Sequence, residues 1–216
     1  STLGALSQAE FRDLSEDLGA ALSYKSVMPA EPLGVTGFDV GVVVSGTYIS
    51  KSSAALSKAS GGSTAVSTLY VPKLHLAKGL PFGIDVAAFI ASVPTTNVKL
   101  VGGELRYALM EGNVALPAVA IRGAISRLSG VEQLSFDTKS LDISISKGFA
   151  MLTPYAGIGR VWVNSTANVA GLEAESFSQG KVFIGANLNF GLMNFALEGD
   201  STGGTKSYSA KLGFRF

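Results

Sequence analysis

Cysteine is absent from this chain of 216 residues, and histidine occurs only once. Without cysteine there is no disulfide bridge, no thiolate nucleophile and no cysteine-based metal site. The single histidine, His75, does not complete a usual zinc site, which needs several side-chain ligands. We therefore expect no metal, no cofactor and no assignable catalytic residue.

Charge is also scarce, and it is balanced. Charged residues make up 15% of the chain, against roughly 25% in ordinary soluble domains. The 17 basic and 16 acidic residues give a net charge of +1. This balance provides no electrostatic basis for binding nucleic acid, so we expect no such partner.

Long apolar runs are missing as well, although 47% of the residues are hydrophobic. No segment approaches the roughly 18 to 20 consecutive apolar residues that a membrane helix needs. A chain that is apolar but never continuously so is typical of strands that alternate between lipid and a lumen. Because strands cross a membrane only as a closed barrel, the composition favours that architecture.

The last residues of the chain show this alternation most clearly. One face of an extended strand carries Tyr208, Leu212, Phe214 and Phe216, and the other face is polar or small. This strand resembles the C-terminal strand of bacterial outer-membrane β-barrels, which ends in an aromatic residue. The resemblance implies that these four residues are the signal for the barrel-assembly machinery. It also implies an integral protein of the bacterial outer membrane.

Residues 1–35 follow a different pattern and form a separate region before the barrel, residues 36–216. Ser7 and Glu10 have the spacing of a capping box, which predicts a helix over residues 8–23. Its apolar side is formed by Phe11, Leu14, Leu18 and Leu22. The prolines and glycine of residues 29–34 end it. The helix is a periplasmic latch on the barrel end, a plug in the lumen or a helix on the membrane surface.

From residue 37 onward the apolar period is two, which predicts an all-β, antiparallel, up-and-down transmembrane barrel of ten strands. Eight or twelve strands are the alternatives. We predict strands at residues 38–48, 66–78, 82–93, 98–110, 114–127, 141–146, 149–164, 178–190, 194–200 and 205–216. Pro117 disturbs the fifth strand because proline removes a ladder hydrogen bond. A soluble barrel of the lipocalin type would need a more charged outer face.

Connection lengths and aromatic residues predict the orientation. Short turns alternate with longer loops, chiefly residues 51–65 and 165–177, as in outer-membrane barrels. We therefore expect a monomer with both termini in the periplasm. Two aromatic girdles are expected at the membrane interfaces, with Tyr48, Tyr70 and Tyr208 at the loop side. The other girdle contains Phe38, Phe82, Tyr107, Phe149, Tyr155, Phe190, Phe195, Phe214 and Phe216.

The polar faces of the strands carry charged residues and the one histidine. By alternation, the lumen is lined by Asp39, Lys73, His75, Asp85, Glu104, Arg106, Arg122, Asp142, Arg160, Lys181, Glu198, Lys211 and Arg215. These groups form either a self-paired network that stiffens a narrow barrel or a water-filled path that orients a small solute.

Three functions of different class remain open. The first is a narrow channel for small solutes, with outer-membrane lipid as its surroundings. The second is a structural or surface-binding protein that acts through loops 51–65 and 165–177. The third is a lipid-modifying enzyme, for which His75 with Ser144 or Ser146 would be the catalytic pair.

Overall fold

The computed structural model describes residues 3–59, 67–92 and 97–216. A short 3-10 turn, Leu3–Ala5, precedes helix α1, Gln8–Leu22, and a second helix, α2, spans Ser53–Ala59. The strands are β1 Phe38–Tyr48, β2 Thr68–Leu80, β3 Ile84–Ser92, β4 Lys99–Met110, β5 Ala118–Ser129, β6 Leu134–Ser146, β7 Leu152–Ala167, β8 Glu175–Phe190, β9 Met193–Thr202 and β10 Thr205–Arg215.

The ten strands form a closed antiparallel barrel in which each strand pairs with its neighbours in sequence and β10 pairs with β1. The prediction of a ten-stranded up-and-down barrel is therefore confirmed. No described helix has the length and apolar character needed to cross a membrane.

Alternation along the strands produces an inner and an outer face. In β1, Asp39, Ser45 and Thr47 are fully buried inside, whereas Val42 and Val44 are about half exposed outside. Successive side chains of a strand point to opposite faces, so this pattern places polar groups in the lumen and apolar groups on the outer surface.

The two ends of the barrel differ in structure. We call the end at which β1 begins and β10 finishes the base, where Phe38 and Phe216 exchange two backbone hydrogen bonds of 2.6 and 2.9 Å. The opposite end is called the loop end. The predicted alternation of short and long connections is wrong in part. Residues 203–204 form a tight turn at the loop end, and residues 111–117 form a longer connection at the base.

Several predicted boundaries change in the structure. β5 begins at Ala118, so Pro117 precedes the strand and costs it no ladder bond. β6 begins at Leu134 rather than at residue 141. β7 and β8 extend into the predicted loop 165–177, which shrinks to residues 168–174. Of the predicted loop 51–65, residues 53–59 form α2 and residues 60–65 lie outside the described chain.

The described chain begins and ends at opposite ends of the barrel. The backbone N–H of Leu3 donates to the Gln133 side chain over 3.0 Å, and Gln133 lies in the β5–β6 turn at the loop end. Phe216 lies at the base. The prediction that both termini share one side is therefore wrong for the described residues. It fails because residues 3–35, the N-terminal segment, run through the barrel before β1 begins.

Candidate functional site: a filled lumen

The N-terminal segment has two halves, a helical half, residues 3–22, and an extended half, residues 23–35. The helical half starts with a complete capping box, in which the Glu10 N–H donates to Ser7 Oγ over 3.2 Å and the Ser7 N–H donates to Glu10 Oε1 over 3.0 Å. The Ser7 N–H, with Lys58 of α2 nearby, holds the pKa of Glu10 below its ordinary value.

Apolar packing holds helix α1 in the loop end of the barrel. Phe11 is fully buried, and Leu14 and Leu22 are almost so. They belong to one cluster with inward-facing residues of the wall, including Phe136 and Val163, and Leu18 packs at its edge. Two buried alanines of α2, Ala55 and Ala59, complete this cluster.

Asp17 ties the helical half to the loop end. Its Oδ2 accepts hydrogen bonds from the N–H and the hydroxyl of Ser52, at 2.9 and 2.7 Å. Its Oδ1 accepts from Thr205 Oγ1 over 2.7 Å. Ser15 and Ser165 form a further buried hydroxyl pair of 2.8 Å. The helix is thus bonded to the β1–β2 connection, to β7 and to β10.

Buried polar contacts hold the extended half. Lys25 forms an ion pair of 2.9 Å with Asp200, and both side chains are fully buried. The Tyr24 hydroxyl lies 2.8 Å from His75 Nε2, and the Tyr24 carbonyl accepts from Lys181 Nζ over 3.1 Å. A buried ion pair needs both partners, since removing one leaves an uncompensated charge.

Nearer the base, the wall holds the backbone of the segment. Arg106 donates to the carbonyl of Pro29 over 3.0 Å and pairs with Asp85 at 2.5 Å. The same Asp85 carboxylate accepts from the Leu33 N–H over 3.2 Å. Ser26 donates to Glu104 over 3.1 Å. The extended half therefore lies along the lumen from the middle of the barrel to the base.

One residue of the extended half is strained. Val27 has φ of 50° although its side chain is β-branched, and it is fully buried. The left-handed region costs a non-glycine residue roughly 1–2 kcal/mol. Its side chain packs against Val43 and Ala196 of the wall. Tertiary contacts thus keep the segment in a backbone conformation that a free chain would avoid.

Several other charged residues of the wall are bonded to one another or to a tyrosine of the wall. Asp39 forms ion pairs with Lys211 at 2.5 Å and with Arg215 at 2.7 Å. Arg122 pairs with Asp142 at 2.6 Å. Glu198 accepts a hydrogen bond of 3.0 Å from the Tyr155 hydroxyl. These pairs place most of the predicted lumen residues on the inner face.

Lys73 and His75 have few polar partners among the described residues. Lys73 Nζ lies 4.7 Å from the centre of the Phe89 ring and has no hydrogen bond. His75 Nδ1 is also without a partner. Both side chains are buried next to the extended half, so they would contact water if that half left the lumen.

Arg160 is not a lumen residue, which corrects the prediction. It is exposed on the outer face, where it donates to Ser178 Oγ over 2.8 Å. The faces of β7 are opposite to those that a lumen position of Arg160 would require: Tyr155, Val161 and Val163 point inward and are buried, and Trp162 points outward. Val161 and Val163 face inward because the lumen at this height contains the apolar side of α1.

The same reversal removes Tyr155 from the predicted base girdle. The other assigned aromatic residues of β1, β4 and β8 to β10 are exposed on the outer face. In the C-terminal strand, Tyr208, Leu212, Phe214 and Phe216 are each at least half exposed there. Their role as an assembly signal remains a prediction.

Sequence reasoning missed four residues that hold the segment: Asp17, Tyr24, Lys25 and Asp200. Asp200 could have been found, because it follows Glu198 at a spacing of two in β9 and so shares its inward face. Tyr24 and Lys25 lie in a connector without periodicity. Nothing local marks them as partners of the wall.

The pair of His75 with Ser144 or Ser146 is not formed among the described hydrogen bonds. His75 contacts Tyr24, while Ser146 Oγ accepts from the Ala30 N–H over 3.1 Å and Ser144 Oγ has no described partner. The described chain, residues 3–59, 67–92 and 97–216, has no group of three or more acidic, histidine or cysteine side chains placed to hold a metal ion.

No protein-family model and no curated protein sequence matches this chain. Solved barrels resemble it only weakly. The translocator domain of the autotransporter NalP from Neisseria meningitidis is 11% identical, with 96% of each chain covered and a TM-score of 0.42. The KdgM porin is 9% identical, covering 82% of this chain and 99% of its own, with a TM-score of 0.41.

A loop-deletion mutant of OmpT, an outer-membrane protein of Vibrio cholerae, is 13% identical, with a TM-score of 0.36. The match covers 68% of this chain and 54% of the OmpT chain. At these levels the comparisons carry no argument about function, which must come from the geometry of the barrel and its contents.

Proposed function

We propose that this chain is an integral protein of the bacterial outer membrane and that its barrel is a narrow channel for small solutes, closed by its own N-terminal segment. A continuous apolar surface around the barrel supports the membrane location. A large aliphatic side chain is exposed on the outer face of every strand: Val42, Leu76, Ile90, Leu105, Ile125, Ile143, Ile158, Ile184, Leu197 and Leu212. Soluble monomers rarely expose apolar patches beyond a few hundred Å².

The channel proposal depends on how the N-terminal segment is attached to the wall of the barrel, which is by side-chain contacts and not by a strand ladder. None of the described strands forms a ladder with residues 3–35. The segment is held by side-chain contacts, such as the Lys25–Asp200 pair and the bonds of Asp17. Side-chain contacts break without opening the barrel, so the segment can move while all ten strands stay paired.

The wall behind the segment suits a water-filled path. With the extended half displaced, Lys73, Lys181 and Asp200 would face the lumen together with His75. Rings of opposed charges select small polar solutes by charge and size. The strain at Val27 would be released by the same movement, which lowers the cost of opening.

The described part of the first loop gives no support to a surface-binding role. Helix α2 turns its alanines toward α1 and places Lys58 Nζ 3.1 Å from Glu10 Oε1. These residues close the loop end of the barrel rather than presenting a free surface. We therefore treat the loop as part of the closure.

Single-channel conductance in a planar bilayer tests the proposal. Phe11→Ala leaves a cavity under the helical half. It should lower the free energy that holds this half in the lumen by about 3–5 kcal/mol. We expect its open fraction to exceed that of the full chain at least about a hundredfold. Phe190→Ala is the matched control, because Phe190 is exposed on the outer face. A folded Phe11→Ala barrel without conductance would contradict the proposal.

A further inference from the structure

The outer surface carries a diagonal row of cations toward the loop end. Lys99 on β4, Arg127 on β5, Lys139 on β6 and Arg160 on β7 are all exposed and face outward. Arg127 is paired with Val101, two residues from Lys99, and Lys139 is paired with Trp162, two residues from Arg160. Diagonal neighbours across strands lie roughly 7–8 Å apart. We call these four residues the basic row.

The charge of the basic row is largely uncompensated. None of the four cations takes part in an ion pair among the described residues. One acidic residue, Asp137, lies in register with Arg127, and its Oδ1 already accepts from Asn164 over 3.2 Å. The row therefore has a net positive charge that attracts anions.

The row lies where the outer surface changes from apolar to polar. On β6 the outward residues Ile143 and Leu141 are followed toward the loop end by Lys139 and Asp137. On β7, Ile158 is followed by Arg160 and then Trp162. Tryptophan is enriched at membrane interfaces, where lipid headgroups lie. The cations thus stand at headgroup level if the barrel is in a membrane.

A groove extends from the row into the apolar part of the surface. It has a volume of about 470 Å³ and is lined by Val101, Gly103 and Ile125 together with Arg127 and Lys139. Asp137 also lines it, and its carboxylate is bonded to Asn164. Gly103 leaves space here, since a Cβ atom at this position would have the Ala87 carbonyl oxygen as its nearest neighbour, at 3.9 Å. Cations above an apolar groove match a lipid with a phosphate headgroup and an acyl chain.

We propose that the basic row binds the phosphate groups of a lipid in the leaflet at the loop end, which is the outer leaflet in the orientation predicted from the sequence, with one acyl chain in the groove beneath Arg127 and Lys139. This inference rests on the proposed membrane location but not on channel activity. Anionic headgroups attract each surface cation with an energy equivalent to about a fivefold change in binding. Loss of two cations should therefore weaken binding roughly 25-fold.

Trp162 provides the measurement, because it is the one tryptophan of the chain and lies in register with Lys139. Folded protein in neutral detergent is titrated with diphosphorylated lipid A, with its dephosphorylated form and with inorganic phosphate, and Trp162 fluorescence is followed. We expect saturable binding of diphosphorylated lipid A and no saturable binding of the other two probes. Arg127→Gln with Lys139→Gln should bind about 25-fold more weakly, whereas Lys206→Gln, which removes an isolated outward cation, should bind as the full chain does.

Gly103→Leu tests the contribution of the acyl-chain groove independently of the headgroup cations. Filling the groove should weaken binding of the phosphorylated lipid while the headgroup cations remain. Equal affinity of the double variant and the full chain, or equal binding of the dephosphorylated lipid, would overturn the inference. Binding of inorganic phosphate as tight as that of the lipid would overturn the acyl-chain part. A protein that does not insert into membranes would instead refute the proposed membrane location.

Discussion

The two halves of the N-terminal segment combine apolar and polar contacts in different proportions. The helical half buries Phe11 and Leu14 in an apolar cluster at the loop end. The extended half also buries Tyr24, Val27 and Met28, and it adds the buried Lys25–Asp200 pair and the Tyr24–His75 bond. The comparison teaches that the buried ion pair is confined to the extended half, while Lys25 Nζ also donates to the Ala20 carbonyl over 2.8 Å and so links the two halves.

The absence of cysteine makes this comparison measurable. Ser15 and Ser26 are both buried, one in each half. A single Ser15→Cys or Ser26→Cys substitution creates the one thiol of the chain, and its labelling rate reports how often that half opens. The following variants are compared in these two backgrounds.

The largest effect is expected for Lys25→Met. It leaves the buried Asp200 carboxylate without its ion-pair cation, a loss of about 3–5 kcal/mol in the extended half. Labelling at Ser26→Cys should accelerate at least about a hundredfold, with a smaller change at Ser15→Cys. Adding Asp200→Asn should restore much of the protection, and Lys206→Met on the outer face should have no effect. Equal acceleration at both thiols would show that the halves move as one body.

Asp17→Asn should have an intermediate effect on the other half. The substitution removes the charge that accepts bonds from Ser52 and Thr205 but keeps one oxygen acceptor, so we expect a loss of about 1.5–3 kcal/mol in all. We expect labelling at Ser15→Cys to rise at least about tenfold and labelling at Ser26→Cys to change little. Asp13→Asn is the matched control, because Asp13 has no described bond or ion pair. An effect as large from Asp13→Asn would show that helix charge, not the bonds of Asp17, holds the half in place.

The smallest effect is expected for Ser7→Ala, which removes the capping box of α1. Loss of an N-cap costs about 1 kcal/mol, so labelling at Ser15→Cys should rise roughly fivefold. Ser7→Thr retains a capping hydroxyl and should restore the slow rate. An unchanged labelling rate in Ser7→Ala would mean that the packing of α1 in the lumen, and not its capping box, determines how often the helical half opens.

The sequence was sufficient to predict the barrel, its strand number and the N-terminal helix. Period-two alternation is strong wherever the inner face is polar or small, as in β1 and β10. Phe11, Leu14, Leu18 and Leu22 were identified because a helix that buries one side must show helical spacing.

The errors cluster where the helical half fills the lumen. There the wall turns apolar residues inward, such as Leu134, Phe136 and Val163, and polar residues outward. The start of β6 was therefore mistaken for a loop, and Arg160 was assigned to the wrong face. Alternation divides the residues of a strand between two faces, but it does not show which face points into the lumen. In this part of the barrel, the position of helix α1 determines the inner face.

The ion pair of Lys25 with Asp200 joins residues far apart in the chain. Alternation in β9 gives the inward face of Asp200 but not its partner, and Lys25 has no local signal of its function. Asp17 looks like one more acidic residue on the polar side of a helix. Such long-range partners follow from the path of the segment through the barrel, which composition and spacing do not determine.

A reversible lock on the helical half tests the central claim most directly. Ser15 Oγ and Ser165 Oγ lie 2.8 Å apart, so Ser15→Cys with Ser165→Cys should form a disulfide between α1 and β7. In the Phe11→Ala chain in a planar bilayer, we predict channel openings when the pair is reduced, silence when it is oxidised, and openings again after reduction. Openings that persist in the oxidised protein would contradict closure of the lumen by the N-terminal segment.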